Sequence, residues 1–151
     1  MSEDFKQLLN PSELEAPAPE AAVDAIQAYV KARWDADLPS DYYELLRLTD
    51  GFNGTVAGRG YLVLWSSALI VSYNEDYEAP KRMPGFVMVG TNGGNAVYGV
   101  DVRCREGEAM QYVETDFVPM RWNNVFWRGP SLAALMRHRA DLAGPEDDEE
   151  N

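Results

Sequence analysis

The order of its apolar segments is the feature that most constrains the fold of this 151-residue chain. Stripes of apolar residues at helical spacing come first, and short apolar runs bounded by turn residues follow them. Helices are predicted at about 3–9, 20–34, 41–49, 66–77 and 131–142, and strands at 61–65, 86–89, 96–102 and 110–113. Because strand and helix do not alternate strictly, the pattern predicts an α+β domain. We expect a mainly antiparallel sheet of four to six strands with helices packed around it.

Segments rich in glycine, proline and asparagine separate these elements. Residues 50–60 are predicted to be a turn-rich loop, with Gly51 in the left-handed conformation after the second helix. Residues 79–85 are predicted to be a break and residues 117–130 an irregular aromatic segment. The sequence GTNGGN at 90–95 predicts a hairpin turn, because a strand follows it and it lacks the spacing of a phosphate-binding loop.

The chain is predicted to form one domain with an extension at each end. Hydrophobic residues make up 46% of the sequence, which is enough for a real core in a chain of this length. Residues 1–19 are predicted to be an N-terminal arm and a linker rich in Pro, Ala and Glu, and residues 20–143 the domain itself. Residues 144–151 are predicted to be a disordered acidic tail. The pattern leaves open whether residues 1–9 dock on the domain or stay mobile.

The charge of the chain favours a basic protein as its partner. The net charge is −12, and the acidic run at 146–150 accounts for five of these charges, so residues 1–145 still carry −7. Nucleic acid and anionic membranes are not expected partners, because both are bound through Lys and Arg. The sequence shows neither a secretion signal nor an apolar run of membrane-spanning length, so we expect a cytoplasmic protein. Its oligomeric state is left open.

Catalytic, cofactor and metal sites are not predicted. His138 is the only histidine and Cys104 the only cysteine, so a hydrolase would have to use one of them. His138 lies near the end of the last predicted helix, and Cys104 lies at a strand end without a nucleophile motif. The hypothesis of a small hydrolase therefore ranks below that of a binding domain. Replacing both residues with Ala would separate the two.

Four segments in series resemble the SUKH superfamily, also known as the cell-wall-assembly-regulator family. They are LPSDYYELLRLTDGFNG at 38–54, YLVLWSSALIVSYNEDY at 61–77, PGFVMVGTNGGNAVYGVD at 84–101 and WRGPSLAALM at 127–136. Together they cover roughly residues 20–140 in the family's order. The chain departs from the pattern at Asn95, where the resemblance leads us to expect an acidic residue.

The resemblance implies an α+β domain that binds a protein and catalyses nothing. Many bacterial members are regarded as immunity proteins that neutralise toxins, while fungal members are linked to signalling and cell-wall synthesis. The resemblance therefore implies an immunity-type protein that occludes the active surface of a toxin, and the acidic charge of the chain favours a basic toxin domain. A regulatory scaffold linked to signalling or cell-wall synthesis is the alternative, and an adjacent toxin gene would distinguish the two.

Five residues are predicted to face the partner. Glu75 and Asp76 lie at the end of the third predicted helix, where acidic groups oppose the helix dipole. This local conflict indicates a site retained for binding, and a solvated helix end is the other interpretation. Trp122 lies in a segment of Trp and Arg residues, which are typical interface anchors. Asp50 and Asn53 belong to the first of the four family-like segments.

Overall fold

The computed structural model describes residues 4–103 and 109–143, and it is an α+β structure built on one six-stranded antiparallel sheet. The strands are β1 (Phe52–Val56), β2 (Gly60–Leu64), β3 (Phe86–Thr91), β4 (Ala96–Asp101), β5 (Gln111–Asp116) and β6 (Val125–Gly129). The α-helices are α1 (Glu20–Trp34), α2 (Ser40–Leu48), α3 (Ser67–Asp76), α4 (Ala79–Arg82) and α5 (Leu132–Ala143), and short 3-10 helices span Phe5–Leu8, Pro11–Glu13 and Trp122–Asn124. Neighbouring strands follow chain order throughout the sheet. The predicted fold class is confirmed.

Alternation along the strands divides the hydrophobic core into two clusters. In β3, Val87 and Val89 join a large cluster on one face of the sheet, while Phe86 and Met88 join a smaller one on the other. This is the expected result of a strand buried on both faces, because successive side chains point in opposite directions. Buried residues of α1, α2 and α5 complete the large cluster.

The segment predicted to be a loop at 50–60 instead forms most of a hairpin, and that prediction was wrong. Gly51 is left-handed as predicted, with φ of 83°, but β1 starts at the next residue. The turn lies at Ala57 and Gly58, which both have positive φ. Gly60 is needed for a close approach, since a Cβ there would lie 2.6 Å from the backbone nitrogen of Ala140 in α5. Glycines that permit packing were therefore mistaken for glycines that permit turns.

Two further loop predictions were wrong. Residues 79–85 contain α4, a single turn that buries Ala79 with Met83 just beyond it. Residues 117–130 contain β6, whose Val125 and Trp127 pair with β5 on either side of a β-bulge. The bulge breaks the alternation of apolar residues, which is the signal that identifies a strand in a sequence.

The N-terminal residues dock on the outer edge of β1. Leu9 and Leu14 form isolated bridges to this strand, and the Glu13 carboxylate accepts a hydrogen bond of 2.9 Å from the backbone nitrogen of Thr55. Phe5 and Leu8 are buried in the large cluster. Residues 4–14 thereby cover backbone groups that an edge strand would leave unpaired.

Helix α3 fills a gap between β2 and β3. These strands pair only at Val63 with Thr91 and at Leu64 with Gly90. Beyond that point Asn74 of α3 bonds the backbone nitrogen and carbonyl of Met88, at 2.9 and 3.0 Å. The C-terminal end of α3 is thereby held beside the sheet. Cys104 and residues 144–151 lie outside the described residues.

Candidate functional site

An exposed apolar ridge follows the end of α3. It consists of Tyr77, Phe117 and Val118, and the rings of Tyr77 and Phe117 meet edge to face with centroids 4.9 Å apart. Tyr77 is 45% exposed and Val118 is 88% exposed. Phe117 packs from the inside against the small core cluster. A group of large apolar side chains that packs against the core and is exposed to solvent on its outer side is typical of a binding surface.

Two grooves border the ridge, and all three ridge residues line both of them. The first, of about 320 Å³, is lined by Asp76, Glu78, Arg82, Pro119, Met120 and the ridge itself. The second, of about 410 Å³, is lined by Gly94, Asn95, Asp116 and the ridge. Both therefore combine aromatic walls with acidic groups.

The carboxylates of the two grooves differ in whether they are already paired. Glu78 forms an ion pair of 3.1 Å with Arg82. Within residues 4–103 and 109–143, neither Asp76 nor Asp116 forms a hydrogen bond or an ion pair through its carboxylate. Each groove thus holds one carboxylate that is free to interact with an incoming cation.

Backbone contacts fix the position of the ridge. Helix α3 ends at Asp76, and Glu78 adopts a left-handed conformation with φ of 57°, which turns the chain before α4. On the other side, the backbone nitrogen of Phe117 donates a 2.8 Å hydrogen bond to the carbonyl of Asn95. The ridge is therefore joined both to α3 and to the tip of the β3–β4 hairpin.

The hairpin tip connects the second groove to the exposed side of β1 and β2. The ring of Tyr61 lies against Gly93, because a Cβ on that glycine would be 2.8 Å from its Cε2 atom. Gly94 and Asn95, which follow directly, line the groove. The Tyr61 hydroxyl donates a hydrogen bond to Asn53. Asn53, which was predicted to face the partner, therefore lies at the margin of the same surface.

The structure separates the two predicted acidic residues at the end of α3. Asp76 lines the first groove. Glu75 faces α1, where it accepts hydrogen bonds from the Tyr29 hydroxyl and the Arg33 guanidinium. The hydrogen bond from Tyr29, with the charge of Arg33 assisting, holds the pKa of the Glu75 carboxyl below its ordinary range.

Two other predicted residues have partners inside the fold. Asp50 accepts a 2.6 Å hydrogen bond from the backbone nitrogen of Ser67, so it caps the first turn of α3 from a distance. The indole of half-buried Trp122 donates a 2.8 Å hydrogen bond to the Pro84 carbonyl. The guanidinium of Arg103 stacks on the Trp122 ring, 3.4 Å from its centroid.

His138 takes part in a partly buried polar contact. Its Nε2 atom lies 2.6 Å from Oε1 of Glu114, which is almost completely buried, and its ring stacks on Trp127 at a centroid distance of 4.4 Å. This contact ties α5 to β5 and β6. Cys104, the other residue considered for catalysis, lies outside the described residues.

Sequence reasoning missed the ridge residues Phe117 and Val118 and the neighbouring Asp116. Asp116 is the last residue of β5. Phe117 and Val118 follow it in the aromatic segment at 117–130, in which Trp122 was the one residue predicted to face the partner. Their significance depends on contact with Tyr77, which lies 40 residues earlier in the chain. A signal was present in Val118, an apolar residue beside a proline and outside any predicted element.

In residues 4–103 and 109–143, no three His, Cys, Asp or Glu side chains are grouped so that they could hold a metal ion. None of the helices in these ranges has the length and apolar character needed to cross a membrane.

Fold and site define an α+β domain with an acid-lined aromatic surface, and the comparison with known proteins places it in a family. A model of the SMI1 / KNR4 family (SUKH-1) matches residues 17–138. The chain belongs to this family, which confirms the resemblance to the SUKH superfamily. Among curated proteins, a search finds no match.

Proposed function

We propose that this chain is a non-enzymatic, immunity-type protein that binds a bacterial toxin and occludes its active surface. Membership of the SMI1 / KNR4 family (SUKH-1) is consistent with an immunity or regulatory role, and this family is generally non-catalytic. The observation that carries the proposal is the exposed ridge of Tyr77, Phe117 and Val118. An apolar surface of this kind is stabilised when a partner covers it.

The charge of the chain supports a basic partner for this surface. With a net charge of −12, the chain attracts a cationic protein during encounter. Asp76 and Asp116 place two of the negative charges in the grooves beside the ridge. Toxins that act on nucleic acid need basic surfaces themselves, so a protein that covers such a surface blocks the substrate as well.

The proposed contact surface includes only two of the five residues that the sequence predicted to face the partner. Asp76 belongs to it directly, and Asn53 belongs to its margin through Tyr61. Asp50, Glu75 and Trp122 already hold other parts of the chain together. We therefore expect substitutions at these three to act mainly through stability rather than through partner contact.

The test uses the full chain and the product of the adjacent reading frame, expressed together in one host. Wild type is expected to restore growth and to form a stoichiometric complex in which the toxin is inactive. The variant Val118→Lys should weaken binding by roughly tenfold or more, because it places a long cation against a basic partner at the most exposed residue of the ridge.

Leu142→Lys is the matched control. Leu142 is 59% exposed on α5, which packs against the opposite face of the sheet, and the substitution changes the net charge by the same amount. It should leave binding unchanged. An equal loss of toxin binding in both variants would mean that the ridge is not the contact surface. A partner that stays enzymatically active while bound would favour the regulatory scaffold instead.

A further inference from the structure

We infer that the second groove binds a single basic side chain of the partner, held between the aromatic ridge and the carboxylate of Asp116. This inference rests on the proposed function, because it names the chemistry by which the same surface would recognise its partner. It assigns the second groove rather than the first to the incoming cation.

The walls of the second groove suit the apolar stem of an arginine or lysine. Tyr77 and Phe117 form one wall, and Val118 extends it. Gly94 also lines the groove and has no side chain to fill the space. A long basic side chain covers apolar surface with its methylene groups and places its charge at the end. The exposed faces of aromatic rings also attract that charge directly.

The charges of the two grooves decide between them. The first groove contains the cation of Arg82, which repels a second cation even though Glu78 pairs with it. The second groove has Asp116 and the neutral amide of Asn95, and no cationic residue of the described part of the chain lines it. The Asp116 carboxylate is exposed and forms no hydrogen bond or ion pair with the residues that the structure describes, so pairing it with a cation displaces no such bond among them.

The groove can be tested on the full chain without its toxin. The probe is the blocked peptide acetyl-Gly-Arg-Gly-amide, and the control peptide carries citrulline, which has nearly the shape of arginine but no charge. We expect the arginine peptide to shift the amide resonances of Gly94 and Asn95 in a saturable way. The citrulline peptide should shift them by far less at the same concentration.

Three variants locate the contact within the groove. Asp116→Asn should weaken binding of the arginine peptide about 3-fold, which is the size expected for an exposed ion pair. Tyr77→Leu keeps an apolar wall but removes the ring face, and it should cost a similar factor. Asn95→Asp adds a second carboxylate and should strengthen binding about 2-fold.

Asp76→Asn is the matched control, because it removes the same charge from the first groove. Equal weakening by Asp76→Asn and Asp116→Asn would overturn the inference, as would equal shifts from the citrulline peptide. The absence of any saturable shift from the arginine peptide would overturn it too. If the ridge still neutralised the toxin in that case, the proposed function would stand without this cation site. If the peptide bound but the chain did not neutralise the toxin, the cation site would stand and the proposed function would be wrong.

Discussion

The side chain of Asn74 makes hydrogen bonds to β3 that a longer β2 would otherwise make. It is completely buried in α3, and its side-chain amide bonds both the nitrogen and the carbonyl of Met88. These are backbone groups that β2 would pair if it continued alongside β3. The amide also donates to the Ile70 carbonyl of its own helix at 2.8 Å. An amide is suited to this position because it donates and accepts at once.

Replacing Asn74 with Ala should therefore destabilise the fold strongly. The change leaves two buried backbone groups of Met88 without partners, and the expected loss in the free energy of unfolding is about 3 kcal/mol. Urea unfolding followed by circular dichroism would measure it. Ser72→Ala, on the exposed side of the same helix, should change stability by less than about 0.5 kcal/mol. A loss of similar size in both variants would contradict the special position of Asn74.

At the scale of elements, Asp101 ties the end of β4 to the edge strand β6. Its carboxylate accepts hydrogen bonds from Arg103 at 3.0 and 3.1 Å and from Arg128 of β6 at 3.0 Å. Burial alone would raise the pKa of the Asp101 carboxyl, but the hydrogen bonds from the side chain and the backbone nitrogen of Arg103 and from the Arg128 guanidinium outweigh it. The pKa of Asp101 is therefore lowered from its ordinary value of 3.8.

A lowered pKa predicts how the contribution of Asp101 depends on pH. The charged form is favoured in the folded state, so its stabilisation is complete above about pH 4 and is lost as the pH falls through the lowered value. At pH 7, Asp101→Asn should reduce the free energy of unfolding by about 1 kcal/mol, since both arginines are partly exposed. Urea unfolding of both proteins at pH 7 and near pH 3 would show this difference shrinking. A difference that is independent of pH would mean that the charge of Asp101 contributes nothing.

The elements also show what could be predicted from the sequence. The helices α1, α2 and α5 were found because each presents an apolar stripe to one large core. Strand β2 was predicted at 61–65, whereas β1 was missed because Gly54 and Gly60 permit close packing in a segment that resembles a loop. Periodicity reports burial along one element, and it does not report which neighbour makes the burial possible.

The candidate site could be predicted only in part, for a related reason. Asp76 was found because acidic residues at a helix end conflict with the local dipole. Phe117 and Val118 carry no such local conflict, and their contact with Tyr77 is a property of the folded chain. Glu75 shows the converse, since the same local conflict is resolved by Arg33 of α1. Sequence patterns identify unusual residues, whereas tertiary contacts decide whether those residues hold the fold or remain available.

At the scale of the whole molecule, the net charge of −12 acts on folding and on binding in opposite directions. Within the folded chain the excess of acidic groups repels itself, and salt screens that repulsion. Between the chain and a basic partner the same charges attract, and salt screens that attraction as well. The screening length falls to about 10 Å at 0.1 M salt, which is shorter than the span of the sheet.

We therefore expect added salt to raise the thermal midpoint of the free chain and to weaken its complex with a basic partner. Differential scanning fluorimetry and binding titrations from 20 to about 300 mM NaCl would measure both effects. Deleting residues 145–151 removes five of the acidic charges and gives a variant to compare with the full chain. It should keep a cooperative thermal transition, with a smaller dependence of the midpoint on salt. If binding proved insensitive to salt while the midpoint responded, attraction between net charges would be excluded as the source of affinity. Recognition would then depend on the apolar contacts of Tyr77, Phe117 and Val118.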